Sequence, residues 1–577
     1  MISARLGARQ NKKEKRMSAM YKQNTSVFRN QFAEDIFNYK YKHEGAESWE
    51  ELATTLVDDV CGGVMEKSET DHLKWMISTM RFIPGGRYLY YAGRPAKFFN
   101  NCYLLRAEED TREEWAALAQ RAMSCLMSGG GIGVDYSVLR EKGAPLSRTG
   151  GTASGPIDLM LAINEIGRRV MQGGSRRSAI YASLNWQHAD AADFLHAKDW
   201  GQMSVAGTDK TIADLKESDF NYNAPLDMTN ISLNWDTKFL EDYWRTGKLP
   251  ELFYQNTRQA LSSAEPGFSF NFFENENETL RNACTEVTSE DDSDVCNLGS
   301  LNMSRIEDIA EFRQCTELAT KFLLCGTLKA QLPMDKVYEV RTKNRRLGLG
   351  LMGMHEWLLQ RGQKYEVTDE MHRWLYVYKS VSDHVAKKTA DEMGISRPVK
   401  VRAIAPTGSI GILAATTTGI EPLFAVAYKR RFLKNGTRWH YQYVVDSAAQ
   451  EVIDRYGISP DKIESALDLS TDFERRIAFQ ADVQDYVDMS ISSTINLPTW
   501  GSKTNNEDTV RPFAETLAKY CHRLRGFTCY PDGSRGGQPL VSVDYSEAVA
   551  KLGEEFEEHV ETHDICDLTG HGGSCGV

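Results

Sequence analysis

Apolar positions recur at three- and four-residue spacing through Trp49-Glu-Glu-Leu-Ala-Thr-Thr-Leu-Val and His72-Leu-Lys-Trp-Met-Ile, which predicts helices over 25–80. Residues 81–151 place many glycines between short apolar runs, the pattern of strands joined by tight loops. Helical spacing returns over 156–172, and 180–184 reads as a short strand. The stretch 200–235 is mixed and polar. Residues 250–262 and 305–330 read as helices, and 265–303 between them alternates strand-like and loop-like pieces. Residues 346–362 predict a strand followed by a helix. A short buried strand over 401–405 runs into Pro-Thr-Gly-Ser, and 505–526 is helical. The C-terminal residues, with Gly570, Gly572, Gly573 and Gly576, predict a flexible tail. Short apolar strands alternating with helices, with no fixed-period repeat and no long linker, argue for an α/β body with a largely parallel sheet or barrel.

Composition narrows the function classes. The chain has 577 residues, 41% apolar and 26% charged, as in ordinary globular proteins. A net charge of −12 excludes a protein that coats nucleic acid, which needs a dense basic face. It leaves nucleotide binding open, since backbone N–H groups and a local cation can hold phosphate. No apolar run reaches the length of a membrane span. Residues 1–20 are polar and basic (Lys12, Lys13, Lys15, Arg16) and lack the apolar centre of a signal peptide, so the expected location is cytoplasmic. Eleven scattered cysteines in such a chain do not read as a disulfide framework; any disulfide would be transient and catalytic.

Several short constellations could carry chemistry. Asn282-Ala-Cys284-Thr-Glu286 would put an amide, a thiol and a carboxylate on one face of an extended segment. By spacing alone, a buried core thiol is the simpler reading. The same holds for Cys102 in Asn100-Asn-Cys-Tyr and for Cys296 in Cys296-Asn-Leu-Gly-Ser. Ser128-Gly-Gly-Gly-Ile-Gly could bring backbone close to a ligand but lacks the dinucleotide-binding spacing. Gly173-Gly-Ser-Arg-Arg puts two guanidiniums beside a flexible turn. Pro406-Thr-Gly-Ser-Ile follows a strand and precedes a helix start, which suits either a phosphate cradle or a plain helix cap. Cys566 and Cys575 stand among tail glycines, where mobile thiols could exchange disulfides. No His/Cys set has zinc-site spacing, so no metal site is expected.

In order along the chain these pieces resemble the ribonucleotide reductases, from about Pro84 to Arg535. The resemblance also includes Lys142-Gly-Ala-Pro with Gly150-Gly-Thr-Ala-Ser-Gly-Pro, Lys343-Asn-Arg-Arg-Leu-Gly-Leu-Gly-Leu-Met-Gly and Gly419-Ile-Glu-Pro. It implies a ten-stranded α/β barrel of two antiparallel five-stranded parallel halves, with a central finger loop and an N-terminal helical region. The implied organisation is 1–80 as tail and helical region without an ATP-cone, hence without overall on/off control by ATP and dATP. The catalytic barrel would be 81–540, and 541–577 a C-terminal region with a redox-active tail. By the same resemblance, Cys284 carries the thiyl radical, Glu286 is the general base and Asn282 bonds the ribose hydroxyls. Cys102 and Cys296 are the reducing pair, and Cys566 with Cys575 re-reduce it, although their spacing is wider than the family's. Asn101, Gly130, Gly131, Pro406, Thr407, Gly408, Ser409 and Ile410 would bind substrate. Lys142, Arg148, Gly173, Gly174, Arg176 and Arg177 would lie on two loops that sense a deoxynucleoside triphosphate effector.

The resemblance also points to a radical source. The glycyl-radical motif is missing, and the only adjacent tyrosines, Tyr90-Tyr91, are too early for the class that uses a separate metal-containing subunit. Arg525-Gly-Phe-Thr-Cys-Tyr-Pro-Asp-Gly-Ser-Arg and Ser493-Thr-Ile-Asn-Leu-Pro resemble the adenosylcobalamin-dependent class II enzymes. The implied cofactor is therefore adenosylcobalamin, bound without a protein histidine ligand. The implied partners are a ribonucleoside di- or triphosphate, a thioredoxin- or glutaredoxin-like reductant and a second copy in a homodimer; nucleic acid and membrane are not expected. The alternatives are a diiron- or dimanganese-subunit-dependent enzyme, a non-catalytic nucleotide-binding relative, and an unrelated Cys-dependent acyl-transfer enzyme, which would need a histidine to activate its Cys.

Overall fold

A computed structural model of the chain describes residues 27–170, 178–219, 222–295, 297–434, 438–534 and 540–558. Its strands, in chain order, begin with β1 (Phe82–Pro84), β2 (Cys102–Arg106), β3 (Gly131–Asp135), β4 (Ile180–Asn185), β5 (Thr229–Asp236) and β6 (Gly267–Asn271). Then come β7 (Leu280–Arg281), β8 (Thr288–Ser289), β9 (Asp294–Val295), β10 (Leu298–Asn302) and β11 (Gly348–Met352). The last are β12 (Ala427–Lys434), β13 (Arg438–Val445), β14 (Thr494–Leu497), β15 (Gly526–Pro531), β16 (Leu540–Ser542) and β17 (Glu555–Glu558).

Strands β2 to β6 pair in parallel, each with the next. Helices 112–127, 156–169 and 237–246 supply the crossovers that parallel strands require. At the far edge β6 meets β15 antiparallel, and β15 runs parallel to β14. Separately, β10 pairs with β11 in parallel. The 401–405 segment, expected as a strand, makes only single parallel bridges, Arg402 to Leu349 and Ile404 to Ile491. The fold is therefore mixed α/β, and among the described residues the hydrogen-bonded sheets do not close into a ring. Strands β12, β13, β16 and β17 form a separate antiparallel sheet.

Two apolar cores follow from this layout. One lies between β2–β6 and their helices, with Ile132, Ile180, Leu233, Trp235 and Phe268 at its centre. The other joins β10, β11 and helices 309–329 and 369–392 to the N-terminal helices 49–61 and 67–78. Trp49, Leu52 and Leu56 fall at helical spacing and pack in the same cluster as Phe322, Trp357 and Trp374. The capping box of Ser48 and Glu51 starts that helix where the pattern predicts.

Two of the elements that escape the sequence reading belong to the parallel sheet and its crossovers. Helix Arg112–Met127 lies inside the stretch expected to be strands; Thr111 caps it, and only Leu118, Ala122, Cys125 and Leu126 are buried, a thin apolar stripe among glycine-rich flanks. Strand β5 looks polar (Thr-Asn-Ile-Ser-Leu-Asn-Trp-Asp) yet is central. Long-range hydrogen bonds hold polar groups of this strand: Asn234 donates to Ser183 at 3.1 Å, Thr229 to Asn164 at 2.8 Å, and Glu265 accepts from Ile231 N–H at 2.9 Å. No described helix is long and apolar enough to cross a membrane.

Candidate active site

Residues 280–289 form a small hairpin of β7 and β8, with Leu280 opposite Ser289 and Arg281 opposite Thr288. Leu280, Ala283 and Val287 of this hairpin pack with Cys102 and Leu104 of β2, Leu298 of β10, Ala179, Ala403 and Met489. The hairpin thus stands between the two sheet systems. Glycines let it do so. A Cβ at Gly133 would fall 1.7 Å from the carbonyl oxygen of Arg281, and one at Gly131 would fall 2.9 Å from Ala283 Cβ. The Gly-Gly-Gly-Ile-Gly run of β3 is therefore the floor on which the hairpin lies.

At the tip, Thr285 N–H donates to Asn282 O at 3.0 Å and closes a turn over Ala283 and Cys284. Thr285 has φ 71°, a region that β-branched residues rarely enter. This corrects the extended alternation expected for Asn282, Cys284 and Glu286, because a turn interrupts it. Cys284 occupies the corner and is buried at 7% exposure, with Asn282 and Glu286 on either side of the turn. Asn282 accepts the Val287 N–H at 2.9 Å through Oδ1, while its buried Nδ2 has no hydrogen-bond partner. Ser490 N–H donates to Glu286 O at 2.8 Å, tying the tip to the neighbouring segment.

A buried charge cluster holds the base of the hairpin. Glu278 accepts Arg525 Nη2 at 2.9 Å and Thr288 Oγ1 at 2.9 Å, with Arg346 at 3.5 Å and Lys400 at 3.6 Å. Burial works against the carboxylate, but Arg525, Arg346 and Lys400 outweigh it and hold the group down at about 2. Arg281 is fully buried and donates to Asn271 Oδ1 at 2.6 Å and to Arg525 O at 3.2 Å. Burial and the nearby Arg525 cation lower its guanidinium to about 9. The sequence reading missed this cluster, since its members are spread from 278 to 525 with no common spacing.

Beside the hairpin lies a narrow cleft walled by Gly85 and Gly86, Asn101 and Cys102, Glu286, Ser300, and the segment Ala405, Pro406, Thr407 with Ile410. Six residues expected from the sequence therefore meet at one place: Asn101, Cys102, Glu286, Pro406, Thr407 and Ile410. Cys102 opens β2 opposite Gly131, and Asn101 O accepts the Gly131 N–H at 2.8 Å. Thr407, at φ 51°, precedes helix Gly408–Ala414 and accepts the Gly419 N–H at 2.8 Å through its hydroxyl. The first N–H groups of that helix have no partner within it. A Cβ at Gly408 would meet no atom within 4 Å, so the loop faces open space there. Ser409 is wholly buried and accepts from Lys40 Nζ at 3.1 Å.

Other expected residues lie elsewhere. Gly130 and Gly131 pack against Tyr103 and Ala283 rather than line the cleft. Lys142 and Arg148 are exposed on a hairpin-like loop closed by Gly143 N–H to Ala153 O (2.8 Å) and by the Pro145–Thr152 bridge. Gly173, Gly174, Arg176, Arg177, Cys296, Cys566 and Cys575 lie outside the described residues. Among the remaining thiols, burial pushes Cys315, Cys521 and Cys529 up to about 12, as expected of core residues. Among the described residues no group of three or more His, Cys, Asp or Glu could hold a metal ion.

Residues 100–378 and 385–528 match the profile of the ribonucleotide reductase barrel domain. A vitamin B12-dependent ribonucleoside-diphosphate reductase of Mycobacterium tuberculosis (strain CDC 1551 / Oshkosh) is 26% identical over 541 residues, covering 83% of this chain and 74% of the relative. Its namesake from Thermoplasma acidophilum is 26% identical over 522 residues, covering 81% and 66%. A ribonucleoside-diphosphate reductase subunit alpha of Chlamydia muridarum is 24% identical over 327 residues, covering 49% and 31%.

Proposed function

This chain belongs to the ribonucleotide reductases, and from that premise we propose that it converts ribonucleotides to 2′-deoxyribonucleotides by thiyl-radical chemistry initiated by adenosylcobalamin. The observation that carries the reading is one cleft in which Cys102 and Glu286 meet the 405–410 segment, beside a hairpin with Cys284 at its corner. The strand pairings support a ten-stranded barrel. Strands β2–β6 supply one parallel five; β10, β11, the 402–404 segment, 491–497 and β15 supply the other, and the two meet antiparallel at β6 and β15.

In this reading the 406–410 loop holds the substrate phosphates in the open space beside Gly408. Cys284, as a thiyl radical, removes the ribose 3′ hydrogen. Glu286 accepts the 3′-OH proton, and the unpartnered Nδ2 of Asn282 binds the ribose hydroxyls. Cys102 protonates the 2′-OH, which leaves as water. Cys102 and Cys296 supply two electrons and become a disulfide, and Cys284 returns its hydrogen to C3′. The sum is ribonucleotide plus dithiol giving deoxyribonucleotide, disulfide and water. Cys296 is assigned as the partner of Cys102 on the family resemblance.

Bound adenosylcobalamin supplies the radical equivalent that Cys284 needs, through its weak Co–C bond. The residues at the hairpin tip suit such a group. Ser490 presents a buried hydroxyl with no hydrogen-bond partner, and it lies so close to Gly526 that a Cβ there would meet it at 3.1 Å. Thr285, Ser490 and Gly526 would hold the cofactor's reactive side near Cys284. The wider match to relatives named for vitamin B12 than to the subunit alpha favours this source.

The exposed loop of Lys142 and Arg148 is assigned to the deoxynucleoside triphosphate effector, together with Gly173, Gly174, Arg176 and Arg177. Cys566 and Cys575 are assigned to re-reduction by a thioredoxin- or glutaredoxin-like protein, and the active form to a homodimer. The test is to incubate the purified chain with a ribonucleotide, dithiothreitol and adenosylcobalamin. Deoxyribonucleotide is expected. Product formed only after adding a diiron or dimanganese subunit would overturn the cofactor assignment, and no product under either condition would overturn the catalytic reading.

A further inference from the structure

We propose that Lys40, from the N-terminal helical segment, is a substrate-binding residue that supplies the cation for the nucleotide phosphates; the inference rests on the reading of the 406–410 loop as the phosphate site. Among the described residues the cleft wall contains the carboxylate of Glu286 and no lysine or arginine. A di- or triphosphate carries several negative charges, and the chain as a whole is acidic at −12. Backbone N–H groups can bond phosphate oxygens, but neutralising the charge calls for a cation from just beyond the wall.

Lys40 stands there. Its Nζ donates to Ser409 Oγ at 3.1 Å, across a sequence separation of 369 residues. Ser409 lies between Gly408, whose Cβ position opens on empty space, and Ile410, which lines the cleft. The Ser409 hydroxyl is neutral, so this contact leaves the ammonium charge in place beside the loop.

The segment that carries Lys40 is pinned on both sides of the same short helix. Arg29 donates to the wholly buried Glu356 at 2.5 Å and to Ala415 O at 3.3 Å, and Glu356 also accepts Thr416 Oγ1 at 2.5 Å. Asn30 donates to Ser447 Oγ at 2.6 Å and caps helix Gln31–Ile36. Phe37 and Tyr41 are buried in the π-helical turn Phe37–Tyr41, which leaves Lys40 half-buried between them. Tyr41 packs against Gly86, itself part of the cleft wall, with its phenol oxygen 3.2 Å from a Cβ placed there. Anchors before and after it thus hold Lys40 beside Ser409, behind the 405–410 wall of the cleft.

The test measures binding of cytidine diphosphate and of cytidine to the full chain by equilibrium dialysis without cobalamin. Lys40→Gln is expected to weaken the diphosphate by about tenfold to a hundredfold, the range for a hydrogen bond to a charged group, and to leave cytidine unchanged. Lys40→Arg should retain most of the diphosphate affinity. In turnover, Lys40→Gln should raise KM with kcat nearly constant. Unchanged diphosphate binding by folded Lys40→Gln overturns the inference and leaves the loop assignment standing. Failure of the unmodified chain to bind the diphosphate overturns the loop assignment and the inference together. Should Lys40→Gln fail to fold, acetylation of the unmodified chain decides: the diphosphate, and not cytidine, should protect Lys40, and equal labelling with both overturns the proposal.

Discussion

Gly133 lies directly against the carbonyl of Arg281, so close that a Cβ at 133 would sit 1.7 Å from that oxygen. The hairpin carrying Cys284 is seated on bare backbone. The obstacle at 133 is backbone, not the far end of a flexible side chain, so it cannot be relieved by a rotamer change. Gly133→Ala should therefore lose about 1–3 kcal/mol or more from overpacking and displace the hairpin. A lower Tm, faster hydrogen exchange over 280–289 and a large fall in turnover are expected together. A variant with unchanged Tm and turnover would show that the hairpin is not held by this contact.

Gly408 provides the contrasting case. It has open space at its Cβ position and no positive φ, so nothing in the protein explains the absence of a side chain there. Gly408→Ala should leave Tm unchanged and raise KM for the nucleotide, because the methyl enters the space assigned to phosphate. Thermal melting beside steady-state kinetics separates the two effects; an unaltered KM would remove the phosphate from this position.

The thiols can be told apart by partial reactions. Cys284→Ser should bring deoxyribonucleotide formation to background and abolish exchange of the ribose 3′ hydrogen. Cys102→Ser should also prevent product formation but retain 3′ exchange, since hydrogen removal precedes loss of the 2′-OH. Nucleotide with a tritium label at C3′ reports both. Product formation by Cys284→Ser would refute the radical assignment. Replacing Cys566 and Cys575 with serine should slow turnover with thioredoxin more than with dithiothreitol, and equal slowing would remove their shuttle role.

Much of the fold was legible where one residue type has one structural use. The Trp49–Leu56 spacing marks a helix face, and Pro406-Thr-Gly-Ser marks a helix start; both are found. Strand β5 was not legible because Thr229, Ser232 and Asn234 look like surface yet are buried and hydrogen-bonded by residues far away in sequence. At the site, the motif cysteine and carboxylate could be picked out, but their juxtaposition could not, since it depends on a turn over Ala283 and Cys284. Lys40 and the glycines at 85 and 86 carry no local signal of their role. The glycines of β3 were noticed and read as a ligand contact, whereas two of them accommodate the chain's own hairpin.

The charge cluster under the hairpin gives a pH dependence with a definite sign. Glu278 falls from its ordinary 4.5 to about 2 in the folded chain, because Arg525, Arg346 and Lys400 overcome the cost of burial. A depressed carboxylate contributes stability that is full above about 4.5 and is lost as the pH falls toward 2. Glu278→Gln removes that contribution at neutral pH and takes from the buried Arg525 its ion-pair partner, a loss of about 3–5 kcal/mol for a broken buried pair. Urea unfolding of both proteins between pH 2.5 and 7 should show a gap that is widest at neutral pH and narrows steadily through the acid range. A gap that stays constant with pH would mean that the role of Glu278 is packing and its hydrogen bond to Thr288, not its charge.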